Sequence, residues 1–496
     1  MARTKHEDLP LLQPAGPTWR ACNANPIVKR AAALLVGVAI VILGVAAIRS
    51  NAGEDTLEQR LRALVDASSN APPFSGVIQV STKQGQGQPK VLLQTAMGMA
   101  HEEFDVPMTS DAVFPVASNS KLFTSVALYQ LQERGLVNLS EPVNSLLTAE
   151  DFTAFGFPNQ TVWCPRVAGA AEDSPCENMT FVQLLQMSSG LDDGEDCDID
   201  PSERCHQLAN ELAIYKGSLA ASVGTFINDP LIVRPGTNYK YTNVNFELLS
   251  YMIEKISGQP LEEYWQQHIF DKVGLKNTIY DPWSGQRQIH KKYVSQYTHY
   301  YLHDPANNAS SKEWTLLSSG TCSPYVNSGA ISGSGGIRST AGDMHRWYLD
   351  LFHDQGRQSQ VLSAASISMI VHRRNPTNPM YAQGIGVAFP ANATDTTWPS
   401  WITYCGGMKC CDTCMNMHPS TDANVQSIVS SAFSNAKVIS SSSQEAWSVW
   451  HPVGFMGELA PGAPEVESEL PPSLLPSLTT AVLSANDSKL LGSTSS

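Results

Sequence analysis

Ser118 and Lys121 stand three residues apart in Val116-Ala117-Ser118-Asn119-Ser120-Lys121-Leu122-Phe123, just ahead of a helix-like run. A serine hydroxyl is a poor nucleophile at neutral pH and needs a base within hydrogen-bond reach. Positions i and i+3 share a helix face, so a lysine in the first turn stands beside a serine at the N-terminus. There the free N–H groups and the helix dipole favour developing negative charge. A lysine at its reference pKa of about 10.4 is protonated and cannot act as a base, so this chemistry requires desolvation or crowding by positive charge. The plainer reading is a serine that caps the helix and a lysine in solvent. Spacing alone does not choose, because Ser434-Asn435-Ala436-Lys437 has the same pattern at the end of a strand-like run with no helix behind it.

The elements that must position these residues are legible around them. Gly76 to Val80 and Val91 to Ala96 read as paired strands about a Gly-rich turn. After Lys121, apolar residues at Leu122, Phe123, Val126, Ala127, Tyr129 and Leu131 mark a helix. Residues 150 to 215 are loop-rich with four cysteines, interrupted by a helical stretch from Thr180 to Leu185. Phe246, Leu249, Met252, Ile253 and Ile256 fall on one face of a helix over 244 to 258, closed by Ser257-Gly258. Thr340-x-x-Asp343 resembles a capping box ahead of Trp347, Leu349 and Leu351. A strand-like run from Val425 to Val429 precedes a Ser-rich break.

Several segments, in order, resemble the serine β-lactamase-like family, which includes class C β-lactamases, D,D-peptidases and related esterases. They are Phe74-Ser75-Gly76-Val77, Ala117 to Thr124 with Leu131-x-x-Arg134-Gly135, Leu184-Leu185-x-Met187-Ser188-Ser189-Gly190-Leu191, Pro235-Gly236-Thr237-x-x-x-Tyr241-Thr242-Asn243, and Gly335-Gly336-Ile337-x-Ser339-Thr340-x-x-Asp343. The resemblance covers roughly residues 70 to 435. It implies an acylated nucleophile at Ser118 and a basic partner at Lys121. Tyr241 would relay the proton and protonate the leaving group, and Asn243 would hold Lys121 and the substrate. Tyrosine and lysine have similar reference pKa values, so the identity of the base stays open. Tyr325-x-Asn327 also spells the tyrosine motif, without the Pro-Gly lead or the following helix.

The family's third motif is usually K-T-G or H-x-G. The best match here is Tyr404-Cys405-Gly406-Gly407, in which a tyrosine replaces the cation. Esterase-like relatives also carry an aromatic residue there. The N–H groups of Gly407 and Ser118 would then form the oxyanion hole. Losing the cation weighs against a carboxylate-bearing substrate, and so against β-lactamase and D,D-peptidase activity more than esterase or amidase activity.

The rest of the chain bounds the setting. Its 496 residues, 42% hydrophobic and 16% charged, suffice for a large core. The net charge of −14 and the lack of an extended basic cluster past residue 60 argue against a nucleic-acid partner. Residues Ala31 to Ile48 are an uncharged apolar run of 18, long enough for a membrane-spanning helix. Arg3, Lys5, Arg20, Lys29 and Arg30 precede it, which places the N-terminus in the cytoplasm and the bulk outside or in a lumen. The alternative is a cleaved signal ending at Ser50-Asn51-Ala52.

Cys22 precedes the span, and Cys164, Cys176, Cys197, Cys205, Cys322, Cys405, Cys410, Cys411 and Cys414 follow it. In an oxidising compartment most would form disulfides, with Cys164–Cys176 and Cys197–Cys205 as local candidates. Sequons at Asn138, Asn159, Asn178, Asn308, Asn392 and Asn486 all lie beyond the span. Cys410-Cys411-Asp412-Thr413-Cys414 with His418 also has zinc-like spacing, but a single cluster in such a compartment favours disulfides. No metal and no cofactor are expected.

The reading is a membrane-anchored serine hydrolase acting on an ester or amide in a small molecule or peptide, a single-pass type II protein with its catalytic domain extracellular or lumenal. Residues 1–30 form a cytoplasmic tail, 31–48 the transmembrane helix, 57–440 the catalytic domain, and 455–496 a Pro/Ser-rich disordered tail. The resemblance implies an α+β fold, an antiparallel sheet flanked by helices with a mostly helical region over about 126–330. The competing reading is a non-catalytic ectodomain of the same fold that binds a ligand or partner.

Overall fold

The computed structural model describes residues 56–67, 74–171, 173–192, 218–280, 292–295, 297–302, 315–321, 331–390, 393–394, 397–408, 411–421 and 426–440. In chain order the elements that frame the site are α1 (Leu57–Ala67), β1 (Gly76–Lys83), β2 (Lys90–Met97), β3 (Phe114–Pro115), α2 (Ser120–Glu133), α3 (Val244–Ser257), β4 (Ile279–Tyr280), β5 (Ile337–Ser339), α4 (Ala341–Phe352), β6 (Gly386–Ala388), β7 (Trp401–Met408), β8 (Cys411–His418) and β9 (Ser427–Ser434). The proposed terminal tails, the apolar span 31–48, Cys22, Cys197, Cys205, Cys322, Cys410, Asn308, Asn392, Asn486, Tyr325 and Asn327 lie outside the described residues. Among the described residues no helix is long and apolar enough to cross a membrane.

The main sheet has six strands in the order β6-β7-β8-β9-β1-β2, antiparallel throughout. Strand β1 is buried along nearly its whole length, as expected of a strand covered on both faces. On one face Ile78, Val80, Leu93, Ile428 and Ala432 pack under Leu61 and Val65 of α1. The other face carries the large core with α2, α3 and α4, where Phe123 stacks on Trp347 at 4.4 Å between ring centroids.

Helix α2 is buried continuously from Ser120 to Leu131, so it is a central helix and not an amphipathic one. Gly135 at φ 71° ends it in the left-handed conformation that glycine adopts without penalty. Helix α3 stops the same way at Gly258, with Glu247 in its first turn and Lys255 in its last.

Three expectations need correction. The Ser-rich segment after Val429 is strand β9, not a break. Ser430 and Ser431 are fully buried there on opposite faces: Ser431 lies beneath α4, where it meets His345, and Ser430 shares the face of Ile428 and Ala432 that packs under α1. The helical character expected up to about residue 330 gives way earlier. Tyr297–Leu302 and Thr315–Thr321 are paired strands, and Ala436–Ser440 adds to them in parallel. Finally, only half of the Thr340 capping box forms. The Thr340 side chain accepts from Asp343 N, but the Asp343 carboxylate turns away to accept from Asn277 N at 2.6 Å and Thr278 at 3.1 Å.

Candidate active site

Ser118 lies in a single 3-10 turn, Ala117–Asn119, that runs directly into α2. Ala117 has φ 45°, a left-handed backbone that costs a residue with a Cβ about 1 kcal/mol or more. The turn is held from two sides. Val116 N donates to Ile337 O at 2.9 Å, and Thr413 Oγ1 donates to Val116 O at 3.0 Å. Asn119 Nδ2 adds a bond to Thr413 O at 2.9 Å. The strained turn is therefore over-determined by β5 and β8, which fixes where Ser118 points.

Lys121 is completely buried, which removes the reading of a solvated first-turn lysine. Its Nζ lies 3.0 Å from Ser118 Oγ, 2.6 Å from Asn243 Oδ1 and 3.1 Å from Ser334 O. Asn243 Oδ1 and Ser334 O can only accept. In a neutral amine they take both N–H groups, and the lone pair is left facing Ser118 Oγ. Tyr241 completes the set with its hydroxyl 2.7 Å from Ser118 Oγ, its ring 4.8 Å from Lys121 Nζ. Nucleophile, amine and phenol thus form one hydrogen-bonded group, in the arrangement required for acyl transfer.

Strand β7 runs against this group. A Cβ on Gly406 would lie 2.3 Å from Val116 O and 2.7 Å from Ser118 N, so only glycine permits this approach. Tyr404, two residues earlier on the same strand, is buried beside Tyr381, their ring centroids 6.2 Å apart. Burial first, then the neighbouring Tyr381, pushes the Tyr404 phenol well above its usual range, so it stays neutral. Tyr381 in turn stands edge-on to Tyr241 at 6.4 Å. The structure brings Ser118, Lys121, Tyr241, Asn243 and Gly406 into contact, with Tyr404 in the aromatic wall beside them. Gly407 is exposed at the next position.

A family model described as Beta-lactamase matches residues 86–422. The chain belongs to the β-lactamase family. Among its relatives, a protein of Escherichia coli O157:H7 provisionally named a D-alanyl-D-alanine carboxypeptidase is 22% identical over 304 residues, 60% of this chain and 63% of that protein. The chain thus spans less than two thirds of the length of that relative. Two solved structures share the fold. The octameric penicillin-binding protein homologue from Pyrococcus abyssi superposes with a TM-score of 0.53 at 18% identity, covering 76% of this chain and 73% of that one. D-amino acid amidase from Ochrobactrum anthropi gives 0.52 at 15% identity, covering 76% and 91%.

The remaining candidate residues lie away from the β-lactamase-family site or beside it. Ser434, the second serine of S-x-x-K spacing, ends β9 and donates to Ser75 O at 3.0 Å, with a strand and not a helix after it. Cys414 is joined to Cys405 across β7 and β8, which removes it from any zinc ligand set, and His418 Nδ1 bonds Ser400 O at 2.9 Å. Cys164–Cys176 forms as expected, while Cys411 is buried. Asn138, Asn159 and Asn178 are exposed, as a glycan acceptor must be. Sequence reading missed Ser334, Thr413, Tyr381 and Glu247. For Ser334 and Glu247 the available signal was the small-residue run Ser332-Gly333-Ser334-Gly335-Gly336, in which Gly333 sits where α2 and α3 leave no room for a Cβ.

Proposed function

We propose that this β-lactamase-family protein is a serine hydrolase that cleaves an ester or amide through an acyl-enzyme on Ser118. The observation that carries this reading is the single hydrogen-bonded group of Ser118, Lys121 and Tyr241, anchored by Asn243 and Ser334. In acylation the Ser118 proton passes to the Lys121 lone pair as Oγ bonds to the substrate carbonyl carbon. The resulting oxyanion is stabilised by the N–H groups of Ser118 and Gly407 in the family's arrangement. The carbon–oxygen or carbon–nitrogen bond then breaks, and the Tyr241 hydroxyl protonates the leaving group. Lys121 then returns its proton to Tyr241, the pair takes a proton from water as its oxygen attacks the ester carbon, and that proton passes to Ser118 Oγ as the ester bond breaks and the acid is released.

The third motif narrows the substrate. With a buried, neutral Tyr404 in place of a cation, a substrate carboxylate has no charged partner at that position. This favours uncharged esters and amides over the free carboxyl end of a peptide. Tethering by the apolar run 31–48 is part of the proposal, with the hydrolase domain on the extracellular or lumenal side. A binding-only ectodomain has no use for a buried lysine aimed at a serine hydroxyl, so that reading is not favoured.

Turnover of nitrophenyl esters, D-amino acid amides and a D-alanyl-D-alanine peptide by the purified protein tests this against Ser118→Ala. Ester or amide turnover that vanishes in the variant supports the proposal. Turnover of every substrate equal to that of Ser118→Ala refutes it.

A further inference from the structure

A carboxylate sits behind the catalytic lysine, one helical turn from Asn243. Glu247 lies four residues on along α3, and its side chain is buried with 3% exposure. Its two oxygens are divided between two groups of the helical turn Ser332–Gly335. Ser332 Oγ donates to Oε2, and Ser334 N donates to Oε1 at 3.3 Å. The same Ser334 presents its carbonyl to Lys121 Nζ at 3.1 Å. One peptide segment therefore receives Glu247 on one side and holds the lysine on the other.

The turn has little freedom elsewhere. Gly333 is pressed between α2 and α3, where a Cβ would lie 1.9 Å from Ser250 Oγ and 2.8 Å from Thr124 Oγ1. Thr124 Oγ1 donates to Gly333 O at 2.9 Å, and Ile337 N donates to Ser120 Oγ at 3.1 Å. A buried carboxylate is costly unless paired and hydrogen-bonded. Burial pushes the Glu247 carboxyl up to about 7, while the two serines and the Lys121 charge hold it down. The other titratable group facing it is the buried Tyr280 phenol, itself pushed upward by burial and by Glu247. An apolar residue here would spare that cost but would leave Ser332 Oγ and Ser334 N without this acceptor.

We infer that Glu247 is a positioning residue for acylation: through Ser332 and Ser334 it fixes the carbonyl that keeps Lys121 Nζ facing Ser118 Oγ. The inference rests on the hydrolase reading for its consequence in rate and on geometry alone for its structural part. Glu247 touches neither substrate nor reacting atoms. Its loss lets the lysine drift by a fraction of an ångström, enough to cost roughly 10- to 100-fold in rate.

The test labels the full chain with a fluorophosphonate over a concentration series, comparing the parent with Glu247→Gln, Glu247→Ala and Ser332→Ala. Expected is a fall of roughly tenfold or more in the maximal labelling rate constant of the folded fraction for Glu247→Ala, with the half-saturating concentration unchanged. Glu247→Gln, which keeps an acceptor for Ser334 N, loses less. A variant that merely folded poorly would show a smaller labelled fraction at the parental rate. If neither Glu247 variant folds, Ser332→Ala, which removes one of the two ties, is expected to slow labelling several-fold, and a parental rate overturns the inference. Labelling within twofold of the parent in the folded Glu247 variants also overturns it. If the parent itself is not labelled, the hydrolase reading fails separately. Crystal structures of the parent and Ser332→Ala then decide the positioning claim: a displaced Ser334 carbonyl supports it, and a Lys121–Ser334 contact unchanged at 3.1 Å refutes it.

Discussion

Asn243 Oδ1 accepts a 2.6 Å hydrogen bond from Lys121 Nζ across 122 residues of sequence. That bond joins the first turn of α2 to the start of α3 and gives the lysine a fixed direction. An amine free to rotate would present its lone pair to Ser118 only part of the time. Held by Asn243 and Ser334, Nζ is fixed 3.0 Å from the Ser118 hydroxyl, and the geometry needed for proton transfer is in place before substrate arrives.

Tyr241→Phe keeps the ring that covers Lys121 and removes only the hydroxyl 2.7 Å from Ser118 Oγ. Acylation by amides, whose leaving group must be protonated, is expected to fall by roughly 100-fold or more, and by less with a nitrophenyl ester whose leaving group departs as an anion. Single-turnover rates on the two substrates measure this. Equal losses on both would assign the hydroxyl to nucleophile activation instead.

Gly406→Ala places a methyl group 2.3 Å from Val116 O and 2.7 Å from Ser118 N. Either β7 or the nucleophile's turn must shift. We expect a loss of about 1–3 kcal/mol in denaturant unfolding together with slower acylation. Parental acylation with parental stability would mean that the contact is looser than the structure has it.

The Tyr404 position tests substrate choice. Tyr404→Lys assayed at pH 6 places an ammonium where the wall is neutral, because a reference pKa of about 10.4 leaves room for a large downward shift by burial, whereas a histidine buried like His345 would stay neutral. The ratio of acylation by a carboxylate-bearing penicillin to that by a neutral ester is expected to rise by roughly tenfold, the worth of one charge-assisted hydrogen bond. A ratio unchanged in a folded variant would remove Tyr404 from the specificity argument.

His345 governs part of the acid response of stability. Buried between α4 and β9, with Nε2 2.7 Å from Ser431 Oγ, it is pushed down to about 3 by burial. Between its ordinary value of 6.5 and about 3, the unfolded chain binds the proton and the folded chain does not, so stability falls as pH drops through this window. Glu247, raised from 4.5 to about 7, has the opposite sign: the folded chain binds the extra proton, and stability rises as pH drops from 7 to 4.5. Thermal melting against pH is expected to show a shallower acid limb in His345→Gln than in the parent. Parallel curves would contradict the assignment.

What the sequence disclosed divides along physical lines. Ser118, Lys121, Tyr241 and Asn243 were legible because their chemistry is carried by side chains at characteristic spacing, and the ordered segments around them raised each above chance. Strands β1 and β2 and helix α3 were legible from periodicity and from Gly258. Ser334 was not, because it acts through a backbone carbonyl, which any residue has. Glu247 was hidden because its burial is set by the close approach of Gly333, a contact between segments far apart in the chain. The buried serines of β9 read as a break because serine favours turns. Their burial comes from the helices on the two sheet faces, α4 over Ser431 and α1 over the face of Ser430.

The claim on which everything else depends is that Ser118 is the nucleophile. Intact mass and peptide mapping after fluorophosphonate treatment test it most directly, on the parent, Ser118→Ala and Ser434→Ala. One adduct is expected, located on Ser118, absent from Ser118→Ala and retained in Ser434→Ala. An unmodified parent, or an adduct that survives in Ser118→Ala, contradicts it.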